Sequence, residues 1–299
     1  MREPWVVGVL LAGLLLGGCG DPASAPEEPA PASPRASATT HRRAPVSPGP
    51  EPKRAPTVLY LGDSLAMESR AVLGRELRRD LKAKYTGAPY SGTTLCDYLE
   101  GTAERSLVPA ADKAAALVRR LRPDVVVLQF WGNSWGYTPC MDGITYDTSP
   151  ARYFERYDAD ARRLTEQISA AGGGHRPRIV WVSQGPDPIT PDRVRRVNAL
   201  YARRAAASGG LVADAGRAVS PAGGRYTWTQ YLPCTSYERA HPGSCTQPGR
   251  DRTALHRDDD PLHFCLAPTT SRPKPCPVRS PGILRIAREI TKTVRQAAR

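Results

Sequence analysis

The sequence is poor in residues that build metal sites, because it has only five histidines and no two cysteines in the spacing C-x-x-C. Zinc sites usually need such closely spaced ligands, so a zinc protein is disfavoured. The sequence also has no internal repeat. Its N-terminal apolar run, from Trp5 to Leu16, is too short to span a bilayer.

The N-terminal region instead has the pattern of an export signal over residues 1–20. Arg2 precedes the apolar run, which ends in the sequence LGGC at Cys19. This ending resembles the bacterial lipobox and makes Cys19 a candidate for lipidation; the alternative is an ordinary cleaved signal with an incidental cysteine. Residues 21–56, rich in Pro and Ala and without apolar periodicity, predict a disordered tether.

Six further cysteines remain once Cys19 is set aside, an even number that is typical of a disulfide-bonded exported domain. Close spacing favours Cys234–Cys245 and Cys265–Cys276, which leaves Cys96–Cys140. Other connectivities stay open at this point. We therefore expect an extracellular or cell-surface protein, in contact with a membrane only through a lipid anchor.

The chain is strongly basic, with a net charge of +13. Residues 57–299 hold 36 of the 42 basic and 24 of the 29 acidic residues, a net charge of +12. Such charge could serve a nucleic-acid binder, but the arginines are mixed with acids on predicted helix faces and no nucleic-acid-binding motif accompanies them. We expect no nucleic-acid partner. Attraction to an anionic surface, or a solvated face without a partner, accounts for the charge.

Apolar runs and amphipathic stretches alternate along residues 57–299, which form a single predicted domain. Strands are predicted at 57–61, 124–128, 178–183 and 211–215, and helices at 64–84, 103–121, 151–171, 192–207 and 281–298. This alternation predicts an α/β fold in three layers with a mostly parallel central sheet. Residues 216–280 break the alternation and predict long loops tied down by disulfides. We expect a monomer.

Ser64 is a candidate nucleophile because it follows the first predicted strand at a sharp turn into a helix. A helix N-terminus favours negative charge, and a serine there needs a base with an orienting partner. His263 is the candidate base, since Asp260 precedes it by three residues, whereas the other histidines lie in the tether or in loops. For Ser64 taken alone, a helix cap is the alternative interpretation.

Four short blocks of sequence together resemble the SGNH (GDSL) hydrolase family. The first and last are Gly-Asp-Ser-Leu at 62–65 and Asp-Pro-Leu-His at 260–263, and the third is Gly-Asn at 132–133 after an apolar run. The second block is a lone glycine, for which Gly92 is the candidate and Gly87 the alternative. The resemblance extends over the whole predicted domain and implies a flavodoxin-like sandwich.

The resemblance also implies a Ser-His-Asp mechanism. Ser64 would attack an ester carbonyl, His263 would act as the base and Asp260 would orient the imidazole. An oxyanion hole would consist of the backbone N–H groups of Ser64 and Gly92 with the side-chain amide of Asn133, each donor being worth about 3 kcal/mol. No cofactor or metal is implied.

Two positions qualify this resemblance. Ser134 stands where the family often has Asp, which we expect to affect local bonding more than catalysis. Asp258 and Asp259 adjoin Asp260 and are fallback candidates for the orienting carboxylate.

Three aromatic residues, Trp131, Trp135 and Tyr137, surround Asn133 and either line a substrate pocket or pack in the core. The absence of a long apolar lid segment favours short, acetyl-type acyl groups on a glycan or small molecule. An O-acyltransferase with the same triad is the alternative function. A non-catalytic surface binding protein is a second alternative, disfavoured by the intact serine, histidine and asparagine positions.

Overall fold

The structure is a computed structural model that describes residues 54–134 and 138–299. These residues belong to the second of two units of the chain, Gly49–Arg299. The predicted export signal with Cys19 and nearly all of the predicted tether lie outside the described residues. Trp135 and Tyr137 lie outside them as well.

Five parallel strands form a central sheet in the order β2-β1-β3-β4-β5. The strands are β1 Thr57–Gly62, β2 Lys84–Gly87, β3 Val125–Gln129, β4 Arg178–Val182 and β5 Leu211–Ala213. This is the flavodoxin-like strand order. The predicted α/β class and the mostly parallel sheet are therefore confirmed.

Helices cover both faces of the sheet. The long helices are α1 Ser64–Leu81, α2 Ala114–Leu121, α3 Pro150–Ala171, α4 Pro191–Ser208 and α7 Pro281–Ala297. Along β3, Val125 and Val127 face the core shared with α1 and α7, while Val126 and Leu128 face the core shared with α2, α3 and α4. Burial on both faces explains why this strand is apolar throughout. The predicted three-layer arrangement is thereby confirmed.

Three predicted boundaries were wrong by two residues or more. The strand predicted at 211–215 ends at Ala213, because Ala215 begins the short helix Ala215–Ala218. The first helix was predicted to reach residue 84, but it ends at Leu81 because Lys82 adopts a left-handed conformation with φ of +55°. The chain then forms β2, which pairs with β1. The helix predicted at 103–121 begins only at Ala114, after two short 3₁₀ turns separated by Pro109, whose missing N–H and fixed φ interrupt a helix.

The segment 216–280 consists largely of loops, as predicted, but it also contains short regular elements. They are the end of α5 Ala215–Ala218, the helix α6 Ser236–Ala240 and the strands β6 Tyr231–Pro233 and β7 Arg252–Ala254. The two strands pair antiparallel in a sheet of their own.

Three disulfides join the six described cysteines in the pairing that their spacing favoured. The pairs are Cys96–Cys140, Cys234–Cys245 and Cys265–Cys276. Disulfides persist in oxidising compartments, so this content is consistent with an extracellular protein. Within the described residues, no helix has both the length and the apolar character of a membrane span.

Candidate active site

The turn between β1 and α1 places Ser64 at the first position of a helix. Gly62 is required at this turn because a Cβ there would lie 2.0 Å from the carbonyl oxygen of Gln129. Asp63 caps the helix, its Oδ1 accepting the backbone N–H of Leu65 at 3.1 Å. The helix cap is thus Asp63, and the hydroxyl of Ser64 serves another contact.

That contact begins a chain of hydrogen bonds through three side chains. Ser64 Oγ lies 3.0 Å from Nε2 of His263, and His263 Nδ1 lies 3.1 Å from both carboxylate oxygens of Asp260. Asp260 also accepts the backbone N–H of His263 at 3.2 Å, which fixes the short loop between them. A nucleophile, a base and an orienting carboxylate in this sequence form the arrangement of a serine hydrolase triad.

The neighbouring aspartates have other partners. Asp258 accepts a hydrogen bond from Gln230, and Asp259 pairs with Arg257 at 2.7 Å while its side chain is 75% exposed. Among the three adjacent carboxylates, Asp260 is therefore the one beside the imidazole.

Charges around the imidazole favour its protonated form. Burial lowers the pKa of His263, but the hydrogen bond with Asp260 and the negative charges of Glu68, Asp260 and Asp63 outweigh burial and raise that pKa above its ordinary value. Burial raises the pKa of Asp260. The hydrogen bonds and charge of His263 nevertheless hold the pKa of this carboxyl well below its usual range. The low pKa favours an ionised Asp260, whose charge would stabilise an imidazolium at His263.

Gly92, the predicted oxyanion glycine, and Ser64 both line one cavity of the described structure. Gly92 lines this cavity together with Asn133, and its φ of +77° is a left-handed conformation that favours glycine. The alternative, Gly87, is the last residue of β2 and pairs with Tyr60 inside the sheet. The structure therefore brings Gly92, and not Gly87, to Ser64 and Asn133.

Asp63, in the turn between β1 and α1, forms hydrogen bonds with the loop that follows β3. Its Oδ2 accepts the backbone N–H of Trp131 at 2.5 Å and lies 3.4 Å from Nδ2 of Asn133. Asn133 Nδ2 also donates to the carbonyl oxygen of Thr93 at 3.0 Å. Burial raises the pKa of Asp63 to about 6 in spite of these bonds. The segments of Ser64, Gly92 and Asn133 are thus held in a fixed relation.

The aromatic residue described near Asn133 is part of the core. Trp131 is 6% exposed, its ring lies 3.6 Å from the guanidinium of Arg193, and the described cavity wall does not include it. For Trp131, the structure favours the core-packing alternative over the pocket role, because the residue is buried in the core cluster that includes residues of α1 and α7. Ser134, which replaces the usual Asp, donates to the carbonyl oxygen of Ile144.

Two residues that the sequence did not single out hold the segment of His263. Glu68 accepts the backbone N–H groups of Phe264 and Cys265 at 3.0 Å each. His256 is buried, and its Nδ1 donates to the carbonyl oxygen of His263 at 3.0 Å. The signal for Glu68 was its place one helical turn after Ser64, on a face that buries apolar residues. No comparable signal marks His256.

A cavity of about 340 Å³ opens beside Ser64. Part of its wall is the loop closed by the Cys265–Cys276 disulfide, and both cysteines contribute to it. Between the two cysteines, the loop residues on this wall are Ala267, Pro268, Thr269, Thr270, Pro273 and Lys274. Proline rings and a disulfide restrict the backbone, so this wall is stiff.

One group of potential metal ligands comes together within the described residues, formed by Cys234, Cys245 and Asp251. The two sulfurs are joined in a disulfide, so they do not act as thiolate ligands. This group gives no support for a metal site.

The Cys96–Cys140 disulfide joins the segments that follow Gly92 and Asn133, so it restrains two candidate oxyanion donors. Replacing both cysteines with serine is expected to lower kcat for an ester substrate about 10-fold to 100-fold, because small displacements of reacting groups are costly. The matched control is the double replacement of Cys234 and Cys245. Steady-state kinetics and thermal unfolding of both variants test this prediction. An unchanged kcat in the variant without Cys96 and Cys140 would show that the disulfide does not position the oxyanion donors.

No family model matches the sequence, and no curated protein matches it. Among solved structures, the fold is similar to TesA, with 17% identity, a TM-score of 0.35, and coverage of 52% of this chain and 77% of that chain. It is also similar to a putative lipolytic protein of the G-D-S-L family from Desulfitobacterium hafniense, with 13% identity, a TM-score of 0.45, and coverage of 79% and 98%. The psychrotrophic esterase EstA from Pseudoalteromonas sp. matches with 14% identity, a TM-score of 0.35, and coverage of 52% and 75%.

Proposed function

We propose that this chain is a serine esterase of the SGNH type, which hydrolyses carboxylic esters through an acyl-enzyme on Ser64. The observation that carries the proposal is the hydrogen-bonded chain from Ser64 through His263 to Asp260, at the edge of a cavity. A serine hydroxyl is a weak nucleophile unless a base within hydrogen-bond reach takes its proton, and His263 Nε2 lies 3.0 Å away.

In the acylation step, Ser64 Oγ attacks the ester carbonyl carbon while its proton passes to Nε2 of His263. The negative oxygen of the tetrahedral intermediate would accept hydrogen bonds from the N–H groups of Ser64 and Gly92. The amide of Asn133 would be the third donor, with one of its N–H groups turning from the 3.4 Å contact with Asp63 to the oxygen. His263 then gives its proton to the leaving alkoxide, and an alcohol departs. In the second step, water loses a proton to His263 and attacks the acyl-enzyme. The bond between the acyl carbon and Ser64 Oγ then breaks, His263 returns the proton to Oγ, and the acid departs.

This order of proton transfers assigns the two parts of the substrate to different sides of the cavity. Because His263 delivers a proton to the leaving oxygen, the alcohol part must lie on its side, along the loop closed by the Cys265–Cys276 disulfide. Three residues with polar side chains, Thr269, Thr270 and Lys274, lie on that wall. Such groups suit a hydroxylated alcohol, which supports a sugar over a simple alkyl alcohol.

The size of the cavity supports a small acyl group. About 340 Å³ is near the lower end of the range for ligand pockets, which is about 300 to 1,000 Å³. A volume of this size suits a small acyl group better than a long acyl chain beside a sugar. We therefore propose acetyl-type esters of a glycan or a small hydroxylated molecule as substrates.

Turnover of p-nitrophenyl acetate, butyrate and octanoate by the purified protein tests the function. We expect kcat/KM to fall with increasing chain length, because the cavity limits the acyl group. Adding a glycan acceptor in the same assay distinguishes hydrolysis from acyl transfer, since a transferase would acylate the acceptor instead of water. No turnover of any ester above the uncatalysed rate would refute the proposal.

A further inference from the structure

We propose that Glu68 is a positioning residue that holds the His263 loop on the nucleophile helix. The inference rests on the proposed function, because it assigns the role of Glu68 through the base His263. Glu68 lies four residues after Ser64 in α1, so the two side chains share one face of the helix. Glu68 is 6% exposed and lines the same cavity as Ser64.

The contacts of the Glu68 carboxylate are directed at the backbone that follows the base. Oε1 accepts the N–H of Phe264 and Oε2 accepts the N–H of Cys265, each at 3.0 Å. Hydrogen bonds to an ionised acceptor are among the stronger ones in proteins. An ionised carboxylate accepts both bonds at once, whereas a glutamine amide has one acceptor and would turn its NH₂ group towards the second N–H. The pair of bonds is therefore specific to an acidic side chain.

The main chain of the same residue holds the far end of the loop. The carbonyl oxygen of Glu68 accepts the N–H of Cys276 at 3.1 Å, while its side chain holds Cys265. These two cysteines are joined by a disulfide. Both ends of the loop that forms the cavity wall are thus attached to α1 at one residue, one turn from Ser64.

The charge of Glu68 also faces the imidazole. Burial raises the pKa of Glu68 to about 7, even though the charge of His263 and the two backbone N–H groups favour ionisation. Burying an ionised carboxylate costs free energy, so an uncharged side chain would serve packing alone at lower cost. The other titratable or charged groups that interact with this pair include Asp260, Asp63, His256, Arg257 and Tyr60.

The sign of the effect on His263 follows from this charge. A negative neighbour stabilises the imidazolium and raises the pKa of His263, so removing the charge of Glu68 must lower that pKa. Only the neutral imidazole can take the proton of Ser64. The acid limb of the pH profile of kcat/KM should therefore move to lower pH in Glu68→Gln.

Three variants separate the geometric role from the electrostatic one. Glu68→Gln should lower kcat about 10-fold to 100-fold with little change in KM, and it should move the acid limb to lower pH. Glu68→Asp keeps the charge but is too short to reach both N–H groups, so it should lower kcat while leaving the acid limb near that of the wild type. Glu76→Gln is the control, since Glu76 is a buried carboxylate of the same helix whose partner is Arg79.

The closing experiment follows the His263 ring by NMR during a pH titration of the full chain, together with kcat of each variant. We expect a lower pKa of His263 in Glu68→Gln and no change in Glu76→Gln. A wild-type protein without esterase activity would refute the proposed function. The titration needs no turnover, so it would still test the effect of Glu68 on the pKa of His263. An unchanged titration in Glu68→Gln overturns the inference. If that variant does not fold, wild-type kcat in Glu68→Asp overturns it.

Discussion

Replacing Ser64 with alanine is expected to lower kcat for p-nitrophenyl acetate by about 10⁴-fold to 10⁶-fold. The variant keeps the oxyanion donors and the cavity, but His263 has no hydroxyl from which to take a proton. Substrate binding should change little, so the loss belongs to kcat and not to KM. The fold should be unaffected, because the cap of α1 is Asp63.

A matched control for this variant lies on the same helix. Ser69 is buried in α1 but does not belong to the cavity wall, and Ser69→Ala should retain the activity of the wild type. Both variants are compared by steady-state kinetics and thermal unfolding. Activity of Ser64→Ala within tenfold of the wild type would show that another nucleophile operates.

Replacing Asp260 with asparagine is expected to lower kcat by about 10⁴-fold, the size of the same change in a serine protease triad. The substitution preserves the shape of the side chain, but it removes the charge that stabilises the imidazolium of His263. It also allows an amide NH₂ to face Nδ1, which favours the wrong tautomer for accepting the proton of Ser64. The pKa of His263 should fall as well, because Asp260 raises it.

The adjacent aspartates supply the controls for this prediction. Asp258→Asn and Asp259→Asn should keep kcat within about threefold of the wild type, because Asp258 makes an exposed hydrogen bond with Gln230 and exposed charge pairs such as Asp259–Arg257 contribute little. The measurement is kcat across a pH series for all three variants. Equal decreases in kcat at the three positions would mean that activity depends on the total negative charge of the loop and not on the contact between Asp260 and His263.

The sequence predicted the parts of the fold whose burial is visible in local patterns. The apolar run of β3 and the amphipathic pattern of α7 were assigned correctly because each pattern reflects the surface that covers it. Strand β2 was missed because it is short, lies at the sheet edge, and includes residues that are partly exposed. Its strand character depends on pairing with β1, which no local pattern shows.

In the candidate site too, local sequence features marked some residues, whereas the roles of others depend on distant parts of the chain. Ser64, Asp260 and His263 were found because a strand-to-helix turn and a short Asp-to-His spacing are local features. The role of Glu68 depends on Phe264, which lies 196 positions further along the chain, so helix periodicity could mark the residue but not its partner. His256 was set aside because it lies in the loop-rich segment without an obvious orienting partner, whereas its contact is with a backbone carbonyl.

The most direct measurement of the central claim is covalent labelling of the nucleophile. A fluorophosphonate probe reacts with a serine only where a base activates the hydroxyl and an oxyanion hole receives the phosphoryl oxygen. Mass spectrometry of the labelled, digested protein should find one adduct, on the peptide containing Ser64, and none in Ser64→Ala. An unlabelled wild-type protein, or an adduct on a different residue that persists in Ser64→Ala, would contradict the account.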